Sequence, residues 1–343
     1  MLVPSWGSRC GVALYSASLI RELEKAGYLV DLVGSDLVNG ARPERWPAIV
    51  HVQHKYSLYD RATLKRIWSR SATLRIPSLV TLHTFDPAQL VANCLLASAF
   101  EEVLVHSPLT LEALRAAGWR QRITVVPMGV PGPARSVAAP DAAGLGPSIG
   151  SAGFMEPYKG FLPLIRAVAR LRSTHPGAVC HVFSSPAANR SSEEWLEHIR
   201  RECRGELAEG SLRLHTEFED EERLVKSLAA MDINVFAYDT GTPYATSAAV
   251  RVGLAAGRPM IVTSSPLFSD LDEEVHKVAE PTVESIHQAL VSLLGDRERQ
   301  ARLAAKAAER AEADGWPNVA RMHADIYRAV LESADTGGLG FTH

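Results

Sequence analysis

Three positions in the sequence are suited to holding an anion. Lys159 lies on a loop after a predicted strand that ends near Gly153, where its positive charge can reach a phosphate. A helix predicted to begin near Ser247 would direct free backbone N–H groups and its positive dipole end to the same place. Gly11 has no Cβ, so the backbone of its loop could approach a bound anion closely. An ordinary exposed lysine would look the same, so Lys159 alone does not establish a site.

A histidine, His83, follows another apolar run and is the candidate for hydrogen-bond or proton chemistry. An imidazole can donate a hydrogen bond, and its protonation is adjustable near neutral pH. A structurally satisfied histidine at the end of a strand is an equally good interpretation. His54 and His106 also follow apolar runs, and for both of them the structural interpretation is favoured.

These residues depend on short apolar runs that alternate with segments of helical period. Runs that are apolar throughout are typical of strands buried on both faces, and strand–helix alternation predicts parallel sheets. The predicted strands are Leu29–Val33, Ile49–Val52, Ser78–His83, Val103–Ser107, Ile123–Val126, Ser148–Phe154, Val179–Ser184, Ser211–His215, Ile233–Tyr238 and Met260–Ser264. The predicted fold class is α/β, with two doubly wound Rossmann-like domains facing a central cleft. Ligands are expected at the carboxyl ends of the strands.

A stretch rich in proline and glycine separates the two sets of strands. Nine of the 22 residues in 127–148 are Pro or Gly, and such a stretch propagates neither a helix nor a sheet. We therefore expect an N-terminal domain over residues 1–130, a linker over 131–147 and a C-terminal domain over 148–315. Residues 316–343 form a separate terminal segment.

The composition excludes several classes of protein. The chain has 343 residues, of which 46% are hydrophobic and 22% charged, and these values exclude disordered and fibrous proteins. No apolar run approaches the ~18 residues of a membrane span, and the first residues lack the pattern of a secretory signal. The four cysteines form no CxxC pair, which favours a reducing cytoplasm over a disulfide framework or a zinc site. The net charge is −3, with an excess of +4 in residues 1–130, and is not typical of a nucleic-acid-binding protein.

Three local motifs have simpler interpretations than their patterns suggest. Residues 146–150 match GxSxG but lack the strand before and the helix after that a nucleophile elbow needs. His51 and His54 are three apart on a predicted strand, so they point to opposite faces and make a poor metal pair. A set of basic residues at helical spacing is typical of a solvated face, although a basic amphipathic helix can also lie on an anionic membrane. This set is Arg61, Lys65, Arg66 and Arg70.

Seven segments together carry a family resemblance over almost the whole chain. They are residues 10–16, 80–84, 103–107, 123–130, 153–160, 235–262 and 316–327. In this order and spacing they resemble retaining glycosyltransferases of the two-Rossmann-domain (GT-B) type, specifically glycosyltransferase family 4. In this resemblance, 153–160 corresponds to the phosphate-binding loop and 316–327 to a terminal helix that crosses back onto the first domain.

The resemblance implies a transferase that moves a sugar from a nucleotide-diphosphate-sugar donor to a hydroxyl acceptor, with retention at the anomeric carbon. It implies an acceptor-binding first domain, a donor-binding second domain, and no metal or other cofactor. In this resemblance, His83 would contact the transferred sugar and the departing phosphate. The donor-binding positions would be Gly11, Lys159, Tyr244, Ser247 and Arg251.

The expected acceptor is a glycan, a lipid-linked molecule or a small molecule, and no nucleic acid is expected as a partner. The positive excess of the first domain would suit an anionic or lipid-linked acceptor. The expected location is the cytoplasm, and a free protein and a peripheral contact at the inner membrane surface both stay open.

The sequence departs from the family at a pair of glutamates that lie eight positions apart. The corresponding residues here are Tyr244 and Val252, neither of which is a carboxylate, and an arginine often found in the phosphate loop is Phe154. Asp239, just after a predicted strand, is the candidate for a substitute carboxylate. Two interpretations stay open. The favoured one is an active transferase with an altered donor pocket, and the other is a catalytically silent glycosyltransferase-like protein that binds a sugar or a partner.

Overall fold

Two units, each built on its own parallel sheet, make up the chain. The computed structural model describes residues 1–32, 47–134, 146–187, 189–241 and 244–337. Unit 1 contains the described residues of Met1–Gly129 and Trp316–His343 together with 244–246, and unit 2 contains the remainder. The predicted linker at 131–147 lies outside the described residues over 135–145. The second domain predicted at 148–315 is interrupted, because 244–246 belong to unit 1.

Unit 1 has a four-stranded parallel sheet in the order β1–β2–β4–β5. Its strands are β1 (Val50–His54), β2 (Ser78–Leu82), β4 (Glu102–Val105) and β5 (Arg122–Val125), and a short β3 (Thr84–Phe85) follows β2. Its helices are α1 (Gly11–Lys25), α2 (Arg61–Leu74), α3 (Leu90–Ala99), α4 (Pro108–Ala116) and the terminal α12 (Trp316–Gly337). The first three strands of this sheet are buried at every residue, as continuous apolar runs predict.

The terminal helix α12 completes the core of unit 1. Trp316 and Val319 of α12 are buried in one cluster with Tyr15 and Leu19 of α1. The indole of Trp316 lies so close to Gly129 that a Cβ built there would be 2.3 Å from two ring atoms. A glycine is therefore required at the end of the segment that follows β5.

Unit 2 has a six-stranded parallel sheet in the order β12–β11–β9–β6–β7–β8. The strands are β6 (Ser148–Ala152), β7 (Val179–Phe183), β8 (Leu212–His215), β9 (Ile233–Phe236), β11 (Met260–Thr263) and β12 (His276–Val278). The helices are α5 (Phe161–Leu171), α6 (Arg190–Glu202), α7 (Arg204–Ala208), α8 (Glu221–Ala229), α9 (Ala248–Ala255), α10 (Val283–Leu294) and α11 (Arg297–Ala313). The chain runs from β6 outward to β8, then returns to β9 on the other side of β6. The strand order thus reverses between β6 and β9.

The predicted α/β class is confirmed, and most predicted strands are present within one or two residues. The strand predicted at Leu29–Val33 is wrong over 29–32, which form no regular element, and Val33 lies outside the described residues. Gly27, just after the C-cap of α1, has a φ of +89°, and Leu29 is 84% exposed, so Leu29 is not buried in the sheet. Over the described parts of the chain, the helices are all too short or too polar to cross a membrane.

Candidate functional site

The point at which the strand order of unit 2 reverses brings two predicted loops together. Open parallel sheets bind ligands at such a switch point, outside the carboxyl ends of the strands. The segment after β6 contains Gly153 and a short 3₁₀ turn, Pro157–Lys159, and Tyr238 follows β9. The backbone N–H of Asp239 donates to the carbonyl of Tyr158 at 2.9 Å and so joins the two segments.

Lys159 is held at this point by Tyr238. Its Nζ donates to the Tyr238 hydroxyl at 2.7 Å and lies 4.0 Å from the centroid of the same ring. The lysine is only 8% exposed, although an ammonium group is costly to remove from water. Burial raises the pKa of Tyr238 far above its usual value, so the hydroxyl stays neutral beside the ammonium. The amine of Lys159 is thus held in place at the switch point by a neutral hydroxyl.

Gly153 lies between this ammonium and the first turn of α9. Its φ is +130°, a conformation that residues with a side chain rarely adopt. A Cβ built there would be 3.4 Å from both the Nζ of Lys159 and the Cβ of Ala249. The segment after β6 therefore passes directly beside the lysine and the start of the helix.

The N-terminus of α9 is not capped by the side chain that precedes it. Ser247 is the N-cap residue, but its hydroxyl donates to the Tyr238 hydroxyl at 3.2 Å instead of accepting from the helix. The first N–H groups of α9 therefore keep their capacity for an anion, and the helix dipole adds to it. Lys159 and Ser247, both predicted as donor-binding residues, are brought together by Tyr238.

Gly160 fixes the position of the lysine loop. Its φ is +66°, and a Cβ built on it would be 1.7 Å from the carbonyl oxygen of Ala237. No side chain fits at that distance, so the loop can pack against the end of β9 only with glycine at this position.

Arg251, another predicted donor-binding residue, forms an ion pair with Asp270 inside unit 2. It is 1% exposed, and Arg310 of α11 also approaches Asp270, at 3.5 Å. The charge of the Arg251 guanidinium is therefore compensated within the core.

Asp239, Tyr244 and Val252 are placed in three different ways. Asp239 is exposed after β9, and partial burial raises the pKa of its carboxyl group above the usual value. Tyr244 lies in a two-residue strand, β10 (Tyr244–Ala245), which pairs antiparallel with β3 and so belongs to unit 1. Its ring centroid is 6.0 Å from that of Phe85. Val252 is 6% exposed within α9.

In unit 1, His83 is part of a buried network of polar side chains. Its Nε2 is 2.8 Å from the Gln53 Oε1, and its Nδ1 is 3.3 Å from the Nε2 of His106. Burial, with a smaller contribution from His106, holds the pKa of His83 well below its usual value. His83 is therefore a neutral ring at neutral pH, oriented by two partners.

The network continues from the sheet to the terminal helix. The Gln53 amide nitrogen is 3.1 Å from His51 Nε2, and His51 Nδ1 is 2.7 Å from the hydroxyl of Tyr327 in α12. His54, by contrast, packs its ring against Tyr56 and Tyr59. His51 and His54 thus have different surroundings, as expected for positions three apart on a strand.

Gly11 is the first residue of α1. A Cβ built on it would meet no atom of the described residues within 4 Å. The protein itself therefore does not require glycine at this position.

Sequence reasoning missed two residues of these sites. Tyr238 was placed at the end of a predicted strand, and only the proximity of β6 and β9 shows that it binds Lys159. Gln53 lies between His51 and His54, and the sequence alone assigned it no role. The available signal was the spacing of His51 and Gln53, two apart, which places both side chains on one face of the strand.

Comparisons with known proteins give similarity in structure only. No protein-family profile matches the chain, and no curated protein matches it in sequence. A crystal structure of Anabaena HepE in complex with UDP is similar, with a TM-score of 0.73 and 13% identity over 96% of this chain and 99% of that one. A glycosyltransferase from Rickettsia africae has a TM-score of 0.74 and 14% identity over 96% and 97%. The sucrose-phosphate synthase of Thermosynechococcus elongatus has a TM-score of 0.67 and 17% identity over 83% and 74%.

Two of these structures match this chain over nearly its full length, although the sequence identity is low. Together with the two parallel sheets, they show that this chain has the GT-B fold of glycosyltransferases.

Proposed function

We propose that this protein is a glycosyltransferase that moves a sugar from a nucleotide-diphosphate-sugar donor to a hydroxyl acceptor, with retention of configuration. The observation that carries the proposal is the buried ammonium of Lys159, held on Tyr238 beside the N-terminus of α9 at the switch point of unit 2.

The diphosphate of such a donor is the leaving group, and it gains negative charge as the bond to the sugar breaks. Preorganised positive groups stabilise this charge best where water is scarce. Lys159 supplies a full charge, and the uncapped start of α9 supplies backbone N–H groups. Gly153, between them, leaves the room that a phosphate oxygen needs.

Two further facts support the choice of ligand. HepE, which shares the fold, has been crystallised with UDP and with UDP-glucose. Residues 153–160, which resemble a phosphate-binding loop, connect β6 to α5 and include Lys159. Retention, the absence of a metal requirement and a contact between His83 and the sugar are proposed on the family resemblance.

The departure from the family pattern defines what the donor pocket lacks. Val252 replaces a glutamate that binds ribose hydroxyls in the resembling family, and its apolar side chain accepts no hydrogen bond. We propose Asp239, exposed three residues after the end of β9, as the carboxylate that replaces it.

Calorimetric titration of the protein with UDP, GDP, ADP and dTDP tests the proposal. One nucleotide should bind clearly more tightly than the others, and Lys159→Ala should weaken its binding at least tenfold without unfolding the protein. Lys226→Ala, which removes an exposed lysine from α8 of the same unit, is the matched control and should bind as the wild type does. If Lys159→Ala binds with unchanged affinity, Lys159 is not part of the site.

Turnover separates the active transferase from the silent binding protein. The sugar donor of the preferred nucleotide is incubated with the protein and with a panel of hydroxyl acceptors, and products are followed by mass spectrometry. Transfer or slow hydrolysis supports the enzyme. Tight nucleotide binding without either product over long incubation supports the silent alternative.

A further inference from the structure

The positive excess of residues 1–130 is concentrated in α2, which has four basic residues and no acidic one. Residues 61–100, which include α2 and α3, contain five basic residues and a single acidic residue, Asp86. This excess of +4 equals that of the whole N-terminal segment 1–130. The helix α3 itself carries no charged residue. A basic helix, α2, and an uncharged helix, α3, therefore belong to the same unit.

One face of α2 combines this charge with an exposed aromatic ring. Arg61, Lys65 and Trp68 are spaced at i, i+4 and i+7, so they share a face of the helix. All three are exposed, and the ring of Trp68 is 39% exposed. Among the ion pairs of the described residues, none involves Arg61 or Lys65. Their charges are thus available to a partner.

The facing side of α3 continues the same surface with apolar residues. Lys65 and Trp68 line a groove together with Leu95 and Ala99 of α3. Val91, Leu95 and Ala99 follow one another at intervals of four and form one stripe of α3, and Leu95 and Ala99 of this stripe line the groove. Val91 is 48% exposed and its neighbour Leu90 70% exposed. We call Arg61, Lys65, Trp68, Leu90, Val91 and Leu95 the α2–α3 surface.

We propose that the α2–α3 surface docks unit 1 onto an anionic lipid bilayer. Aliphatic side chains and a tryptophan beside a row of basic residues are the chemistry that binds the interface of such a membrane, where the apolar groups enter the acyl boundary and the charges meet lipid headgroups. The charge complementarity favours a bilayer over a second copy of this chain, because two copies would bring like charges together.

The test is flotation of the full-length protein with lipid vesicles. The protein should float with mixed phosphatidylcholine–phosphatidylglycerol vesicles and not with phosphatidylcholine alone, and added NaCl should reduce the bound fraction. Arg61→Ala combined with Lys65→Ala should lower the partition coefficient about 25-fold, or about fivefold for each charge removed. Arg297→Ala combined with Arg302→Ala, two exposed arginines of α11 in unit 2, is the matched control and should float as the wild type does.

A second variant tests the apolar part of the surface. Leu90→Ser with Val91→Ser should weaken binding several-fold and leave its dependence on salt unchanged. Equal binding to both kinds of vesicle, or full binding by the Arg61/Lys65 variant, would overturn the proposal. So would a wild-type dimer in solution that the Leu90/Val91 variant abolishes, since the surface would then belong to a second copy. Vesicle binding requires no nucleotide, so a negative result here leaves the proposed transferase activity untouched, and the reverse is also true.

Discussion

Gly160 and Ala237 approach each other so closely that a methyl group at residue 160 would lie 1.7 Å from the Ala237 carbonyl oxygen. Gly160→Ala should therefore destabilise unit 2 by more than about 3 kcal/mol, because a left-handed backbone cost of ~1–2 kcal/mol adds to a steric conflict with rigid backbone. Gly210 has a similar φ of +69° but nothing within 4 Å of the added Cβ. Gly210→Ala should cost only the backbone part, about 1–2 kcal/mol. Urea unfolding of both variants gives the comparison, and equal losses would contradict it.

The hydroxyl of Tyr238 has a role that its ring alone does not fill. Tyr238→Phe keeps the ring but leaves the Lys159 ammonium and the Ser247 hydroxyl without this partner. We expect a loss of about 1–3 kcal/mol in the free energy of unfolding and weaker nucleotide binding. Tyr28→Phe removes a hydroxyl from a half-buried tyrosine of unit 1, outside this site, and should leave both quantities within experimental error. If the two variants have equal free energies of unfolding in denaturant titrations and bind nucleotide equally well, the Tyr238 hydroxyl is not part of the site.

The contact between Gly129 and Trp316 predicts a steric coupling between two distant parts of the sequence. Gly129→Ala should destabilise unit 1 by about 1–3 kcal/mol, because the indole has to move. Gly132→Ala, with open space around the added Cβ, should change stability by less than about 0.5 kcal/mol. On a Trp316→Leu background the Gly129→Ala change should cost less, which a double-mutant cycle measures. An unchanged cost on that background would assign the effect to the backbone.

The buried histidines of unit 1 predict a loss of stability in acid. Burial lowers the pKa of His323 to about 4, and it holds that of His51 well below its usual value. The unfolded chain binds protons near pH 6.5, so the free energy of unfolding should be highest above that pH and should fall as the pH decreases toward 4. A pKa difference of one unit between the folded and unfolded states corresponds to about 1.4 kcal/mol, so His323 alone accounts for a loss of about 3 kcal/mol in the free energy of unfolding.

His323→Gln is the variant that isolates this contribution. It removes the titrating ring while it keeps a polar group near the Tyr15 hydroxyl, which lies 3.3 Å from the His323 Nε2. Unfolding free energies measured from pH 7.5 to pH 4.5 should fall less steeply in the variant than in the wild type. Parallel curves would show that the pKa of His323 is the same in the folded and unfolded states.

The sequence predicted the strands well because burial on both faces leaves a continuous apolar run. Val103–Ser107 and Met260–Ser264 each coincide with a strand to within two residues. The error at Leu29–Val33 arose because an apolar run need not be buried, and Leu29 is mostly exposed. Local pattern carries no information on which surface covers a segment.

Pairings between distant segments were beyond what local patterns could predict. Tyr244 pairs with Phe85, which is 159 positions earlier, and this pairing assigns it to unit 1. The contact of Lys159 with Tyr238 likewise arises only because β6 and β9 are neighbours. The sequence could predict that Lys159 lies on a loop after a strand. The hydroxyl that binds it could be identified only from the order of the strands in the sheet.

The packing of α12 against α1 has a consequence for biosynthesis. A ribosome releases Tyr15 and Leu19 early, but their partners Trp316 and Val319 emerge only after all of unit 2 has been translated. Domains usually fold in the order in which they leave the ribosome. Unit 1 is therefore the first unit to be synthesised and the last to complete its core. A nascent chain stalled before residue 316 would expose to chaperones the side of α1 that packs against α12.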